Sequence, residues 1–156
     1  MTADLKLPDA AATARLGAGL AGGIGPGRVL HLTGELGSGK TTLVRGLLRA
    51  LGVQGPVKSP TYTWVEPYAL SSLDLYHFDF YRLSDRTEWL SSGLRDYFRP
   101  DACCIVEWPE KAHELLPTPD LAVHLSYAGE ARRARVDSHS PAGEAWLSSL
   151  QGSFSS

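Results

Sequence analysis

The sequence predicts a single α/β domain in which a mostly parallel central sheet is flanked by helices, and three patterns lead there. An apolar run, Arg28 to Thr33, enters a glycine-rich turn, Gly34 to Gly39, and then leucines at helical spacing. A second continuous apolar run, Ala102 to Val106, ends at Glu107, as expected of a parallel strand covered on both faces. Between them, Tyr76 to Leu83 alternates, with His77, Asp79 and Tyr81 on one side and Phe78 and Phe80 on the other.

The remaining elements follow in order. Asp9 is placed to cap a helix through about Ala21, with Leu16 and Leu20 on one face, ended by Gly22, Gly23, Gly25 and Pro26. Leu43, Leu47, Leu48 and Leu51 mark the helix after the glycine turn, and Gly52 stands where a C-terminal cap belongs. Ser59 to Glu66, rich in β-branched and aromatic residues between prolines, predicts a loop that becomes a strand. Asp85 with Glu88 resembles a capping box opening a short helix that holds Trp89, and Leu94 to Phe98 predicts another turn or two. Leu121 to Leu125 and Arg135 to Ser138 are weaker strand candidates, Gly143 to Leu150 a closing helix, and residues 151–156 a frayed tail of the one 1–156 domain.

Composition excludes several classes. The chain has 156 residues, 43% of them hydrophobic and 21% charged, enough for one domain to bury roughly two-thirds of its unfolded surface. Its net charge of -2 offers no global basic field for a phosphate polymer, so direct sequence-specific nucleic-acid binding is not expected. Cys103 and Cys104 are adjacent in an apolar run and read as buried thiols of a reduced protein. No run approaches the roughly 18 uninterrupted apolar residues of a membrane span. The first seven residues lack an apolar leader core, so the expected location is the cytoplasm and no membrane partner is expected.

The glycine turn carries the chemistry. Gly34-Glu-Leu-Gly-Ser-Gly-Lys40-Thr41 satisfies GxxxxGK[ST], the P-loop pattern, between the strand and helix it requires. Inward-pointing amides and the positive end of the following helix would form a nest for a nucleotide β-phosphate. Lys40 would reach the β and γ oxygens, and the Thr41 hydroxyl would be one ligand of Mg²⁺. The second requirement is an acid. Glu107 should emerge at the carboxyl end of its strand, where open α/β sheets bind ligands, and suits the metal role; Asp79 is the other candidate, as a water-positioning group or outer-shell ligand. A guanine-nucleotide switch is excluded, because the chain has no asparagine for an NKxD segment and no DxxG.

Gly34 to Thr42, Ser59-Pro-Thr-Tyr62, His77-Phe-Asp-Phe-Tyr-Arg82 and Ile105-Val-Glu-Trp-Pro-Glu110 together resemble, in order and spacing, the TsaE (YjeE) family. The likeness covers about residues 5 to 150. It implies a P-loop NTPase-like domain that binds and hydrolyses ATP with Mg²⁺, weakly alone. It also implies action on the TsaB and TsaD proteins, to reset them during threonylcarbamoylation of the adenosine beside the tRNA anticodon. By the same resemblance Gly37, Ser38, Gly39, Lys40, Thr41 and Thr42 would bind phosphates, and Thr41 with Glu107 would hold Mg²⁺. Asp79 matches an essential aspartate, so Lys40, Asp79 and Glu107 form the catalytic set.

Ser59-Pro-Thr61 would be a switch-like loop near the γ-phosphate, Trp108 would lie beside the site or at the partner surface, and Ala10 would flank the adenine. Arg132 matches a basic position near the nucleotide, with Arg133 and Arg135 as neighbouring registers. Arg82 is a candidate for a charge-stabilising guanidinium or an ion pair, and His77 for a structural histidine. Two alternatives stand beside the ATPase: a small-molecule kinase with a lid somewhere in Arg86 to Arg99, and a nucleotide-dependent binding module whose hydrolysis is vestigial.

Overall fold

The computed structural model describes residues 1–60 and 62–154. Seven strands form one sheet in the order β1-β7-β6-β2-β5-β4-β3: β1 (Thr2–Leu7), β2 (Val29–Thr33), β3 (Val65–Ala69), β4 (Asp74–Asp79), β5 (Ala102–Glu107), β6 (Leu121–Ala128) and β7 (Ala131–Ser138). The helices are α1 (Ala10–Leu20), α2 (Lys40–Ala50), α3 (Arg86–Ser92) and α4 (Pro141–Phe154). The α/β class is as expected, but the sheet is mixed. Only β6, β2, β5 and β4 run parallel, while β1, β7 and β3 are joined antiparallel. The physical reason is connection length: β3–β4 and β6–β7 are hairpins, and a short turn can return the chain only antiparallel.

The sheet separates two apolar clusters. On one face Leu16, Leu20, Leu43, Leu47 and Trp146, from α1, α2 and α4, pack on Leu30, Leu32, Val123 and Val136. On the other, Trp89 and Leu94 cover Phe78, Phe80 and Val106. The apolar positions of β2 and β6 alternate as a half-covered strand requires, whereas all six residues of β5 are buried.

Helix ends match their local signals. The Asp9 carboxylate accepts from the Ala12 amide at 2.8 Å and that of Asp85 from Glu88 at 2.9 Å. Glu88 reaches back to the Ser84 amide at 2.8 Å, one residue before the reciprocal position of a standard capping box. Ser140 accepts from the Gly143 amide at 2.9 Å ahead of Pro141, the first helical residue of α4. That helix runs through Phe154, so residues 151–154 extend it where a tail was expected; Ser155 and Ser156 lie outside the described residues.

Other boundaries shift for identifiable reasons. β4 stops at Asp79 rather than Leu83, because the Asp79 carboxylate accepts from the Tyr81 amide at 2.9 Å and turns the chain. β3 begins only after Trp64, which takes a left-handed conformation (φ 68°). Its Pro67 is tolerated because β3 is an edge strand. β1 was not anticipated, although Ala3, Leu5 and Leu7 turn the same way with polar residues between them.

Candidate functional site

The parallel strands β2, β5 and β4 end together beside the N-terminus of α2. Register makes this a common edge: Leu32 pairs with Glu107, and Glu107 with Asp79. The two acids therefore stand side by side on one face, the face that α2 covers. Backbone bonds close the edge, with the Phe80 amide donating to Glu107 O (3.1 Å) and the Trp108 amide to Leu32 O (3.3 Å).

The glycine loop spans residues 34–39. Gly39 caps α2 with φ 111°, a conformation an L side chain rarely adopts. The first turn of α2, Lys40 to Thr42, holds no acidic residue, so its unpaired amides and helix dipole face outward uncompensated. A cavity of about 370 Å³ lies here, lined by Gly37, Gly39, Lys40, Thr41, Thr42, Ser59, Asp79, Tyr81, Glu107 and Trp108, with Leu36 at its edge. A second, of about 290 Å³, lies across the loop, between Leu7, Asp9, Ala10, Thr13, Gly37, Ser38, Gly39, Thr42, Glu130 and Arg132.

Lys40 is 5% exposed. Its Nζ donates to Gly34 O, to Glu35 O (2.9 Å) and, at 3.5 Å, to Ser38 Oγ, and lies 4.6 Å from the centre of the Trp108 ring. Burial pulls its pKa below that of a free lysine, while Glu107, Asp79 and Glu110 pull it back up. Trp108 reaches this position because β5 turns sharply after Glu107, with Trp108 at φ 57°, a conformation that costs on the order of 1 kcal/mol or more. Tyr81 packs on the same indole at 5.0 Å.

Both acids are buried and held. Asp79, besides turning the chain, accepts from the Ser59 hydroxyl. Glu107 Oε2 lies 2.6 Å from Nε2 of His77, a fully buried histidine two residues before Asp79. His77 is thus a hydrogen-bonded structural residue, as expected, and its Nδ1 has no partner among the described residues.

The sequence candidates fall into two groups. Lys40, Thr41, Asp79 and Glu107 share the first cavity; Ala10, Ser38 and Arg132 line the second; Gly37, Gly39 and Thr42 touch both. The three arginines of β7 separate by strand alternation. Arg132 turns to the loop, its Nη2 3.4 Å from Gly37 O and its guanidinium 4.3 Å from the Tyr127 ring centre. Arg133 and Arg135 belong to the opposite face. Arg82 is exposed, lies over the Tyr62 ring at 4.6 Å and makes no ion pair among the described residues, so the expected ion pair is absent there. Helix α3 packs under the sheet, and residues 86–99 line neither cavity, so they form no lid over the loop. Ser59 lines the first cavity; Thr61 lies outside the described residues.

Sequence reasoning missed several contributors, Thr13 and Glu130 of the second cavity among them. Leu7 and Asp9 enter the second cavity through the unforeseen β1 and the cap of α1. Tyr127, whose hydroxyl donates to Leu36 O at 2.7 Å, braces the loop from the β6–β7 hairpin. Alternation through Tyr127, and through Ala3, Leu5 and Leu7, was the signal available for them.

This fold and this loop define a P-loop α/β protein. The chain matches the family model described as threonylcarbamoyl adenosine biosynthesis protein TsaE over residues 7–135, and it belongs to that family. It is 48% identical to the tRNA threonylcarbamoyladenosine biosynthesis protein TsaE of Haemophilus influenzae over 108 residues, 69% of this chain and 68% of the relative. The protein of the same name from Bacillus subtilis is 43% identical, over 69% of this chain and 67% of its own length. A crystal structure of Bacillus subtilis YdiB superposes with a TM-score of 0.83 at 29% identity, covering 97% of this chain and 95% of that one.

Proposed function

We propose that this protein binds ATP and hydrolyses it with Mg²⁺, acting on the TsaB–TsaD pair to support threonylcarbamoylation of the adenosine beside the tRNA anticodon. It would work in the cytoplasm as a single domain; among the described residues no helix is long and apolar enough to cross a membrane. The observation that carries the reading is the glycine loop facing two buried carboxylates across one cavity.

The donor set suits a hard divalent cation: a hydroxyl at Thr41 and a carboxylate at Glu107, with no sulfur or imidazole among the cavity residues. Thr41 and Glu107 would hold Mg²⁺, which when bound neutralises charge on the β and γ oxygens. The nucleotide's phosphates would lie on the amides of residues 37–42, its base toward Ala10 and Arg132. Lys40 would exchange the carbonyls of Gly34 and Glu35 for phosphate oxygens, and the phosphate charge would restore the Coulombic support that burial opposes. Asp79 would orient the attacking water. That water's oxygen would bond to the γ-phosphorus as the bond from γ-phosphorus to the bridging oxygen breaks; the electron pair leaves on ADP and the water's proton passes to the phosphate oxygens, giving ADP and inorganic phosphate.

The test is phosphate release from ATP, with and without the purified TsaB–TsaD pair. The expected result is slow Mg²⁺-dependent release, stimulated by the pair. Asp79→Ala and Glu107→Ala should each cut turnover by about 10²-fold or more while still binding nucleotide. Turnover that needs an added small-molecule acceptor would replace this reading with a kinase. Full support of repeated tRNA modification by either variant would make hydrolysis vestigial.

A further inference from the structure

Away from the loop, the outer side of the α1–α2 pair has an unusual composition. The helices meet at close quarters: a Cβ at Gly17 would lie 1.9 Å from Leu43 O, and one at Gly46 2.2 Å from Ala14 O. Close approach of two backbones leaves a shallow valley between them, about 500 Å³ in volume, floored by Ala14, Ala18, Gly46 and Ala50. Three guanidiniums rim it, Arg15 from α1 and Arg45 and Arg49 from α2.

These charges are uncompensated. Neither helix contains an acidic residue, although the whole chain has net charge -2. Arg15 and Arg45 take no hydrogen bond or ion pair among the described residues; Arg49 donates only to Val53 O at 3.0 Å. Arg45 and Arg49 also stand four apart on one helix, an arrangement that opposes helix stability in isolation. Thr42, at the edge of the valley, also lines both cavities beside the glycine loop.

We propose that the α1–α2 valley is a docking surface for an acidic amphipathic segment of the TsaB–TsaD pair. Its apolar side chains lie on the alanine and glycine floor, and its carboxylates meet Arg15, Arg45 and Arg49. Charge complementarity selects the occupant: a floor of small apolar groups suits side chains rather than a sugar–phosphate backbone, and the rim calls for carboxylates. A segment seated there would touch the helix whose first turn forms the phosphate nest. The assignment rests on the proposal above that the pair is this protein's partner.

The experiment is a binding titration of the full chain against the purified TsaB–TsaD pair at low and high salt. It compares the wild type with Arg45→Glu/Arg49→Glu, Arg15→Glu and Ala18→Glu, none of which lines the cavities at the loop. The expected result is about tenfold or greater weakening by the double variant, mainly in association rate, with a flatter salt dependence. Basal phosphate release should stay unchanged throughout, and the melting temperature unchanged in Arg15→Glu and Ala18→Glu. Equal binding by wild type and variants overturns the docking surface and leaves the partner reading intact; no binding by the wild type overturns both. Loss by the variants of affinity for tRNA alone, or of self-association, assigns the valley to nucleic acid or to a second copy and overturns the proposal.

Discussion

At the scale of single residues, His77 is the side chain whose importance is easiest to overlook. It is completely buried, and its Nε2 meets Glu107 Oε2, itself part of a carboxylate that is almost wholly out of solvent. Removing the donor strands a buried carboxylate, at a cost of about 1–3 kcal/mol. His77→Phe should therefore lower the unfolding free energy measured in urea by that amount and, on the metal role proposed for Glu107, also weaken Mg²⁺ binding to the nucleotide-free protein. His77→Gln, whose amide can still donate, should recover part of both. A variant that lost activity while keeping stability and metal affinity would contradict this positioning role. Glu107 as the acid ending β5 was readable from the apolar run before it. Its partner was not, because strand alternation puts His77 and Asp79 on one face but says nothing about which neighbouring strand that face adjoins.

At the scale of elements, local chemistry accounts for most of what forms. Capping residues open α1, α3 and α4, and the arginine alternation of β7 divides into buried Ala134 and Val136 and outward Arg133 and Arg135. Helix α3 has only seven residues and lines neither cavity at the loop, so its cap can be tested without replacing a residue of the site. Asp85→Ala should destabilise the fold by about 1 kcal/mol, measured as a shift in denaturant midpoint at constant slope, with nucleotide affinity unchanged. Loss of affinity would mean that the layer under the sheet does reach the site. Where element boundaries were misjudged, the deciding bonds were short and specific. The Asp79 carboxylate turning onto the Tyr81 amide ends β4, and no periodicity reports such a turn.

At the scale of the whole molecule, the covered and uncovered halves of the sheet have different electrostatic consequences. His31 lies in β2 on the face away from α1 and α2, with Nε2 buried and unpartnered among the described residues. Burial first, and the nearby His139 second, push its pKa down from 6.5 to about 4. The folded state thus refuses a proton that the unfolded chain accepts, so stability is complete above pH 6.5 and falls as the pH drops from there toward 4. Denaturation of His31→Leu at pH 7.5 and 4.5 should reveal a shallower decline than the wild type. An identical decline would show that His31 is not among the groups responsible.

The chain's own order of residues determined the class of fold, the glycine loop, the helix it feeds and the identity of the acids, because each depends on neighbours a few positions away. Strand pairing alone decided that Glu107 and Asp79 stand shoulder to shoulder and that His77 holds one of them, and the docking of β7 turned Arg132, already matched by resemblance, to the loop. These are contacts between segments 20 to 100 residues apart, as with Gly37 and Arg132. Hydrophobic burial, which fixes such pairings, depends on the whole sheet and has no local signature.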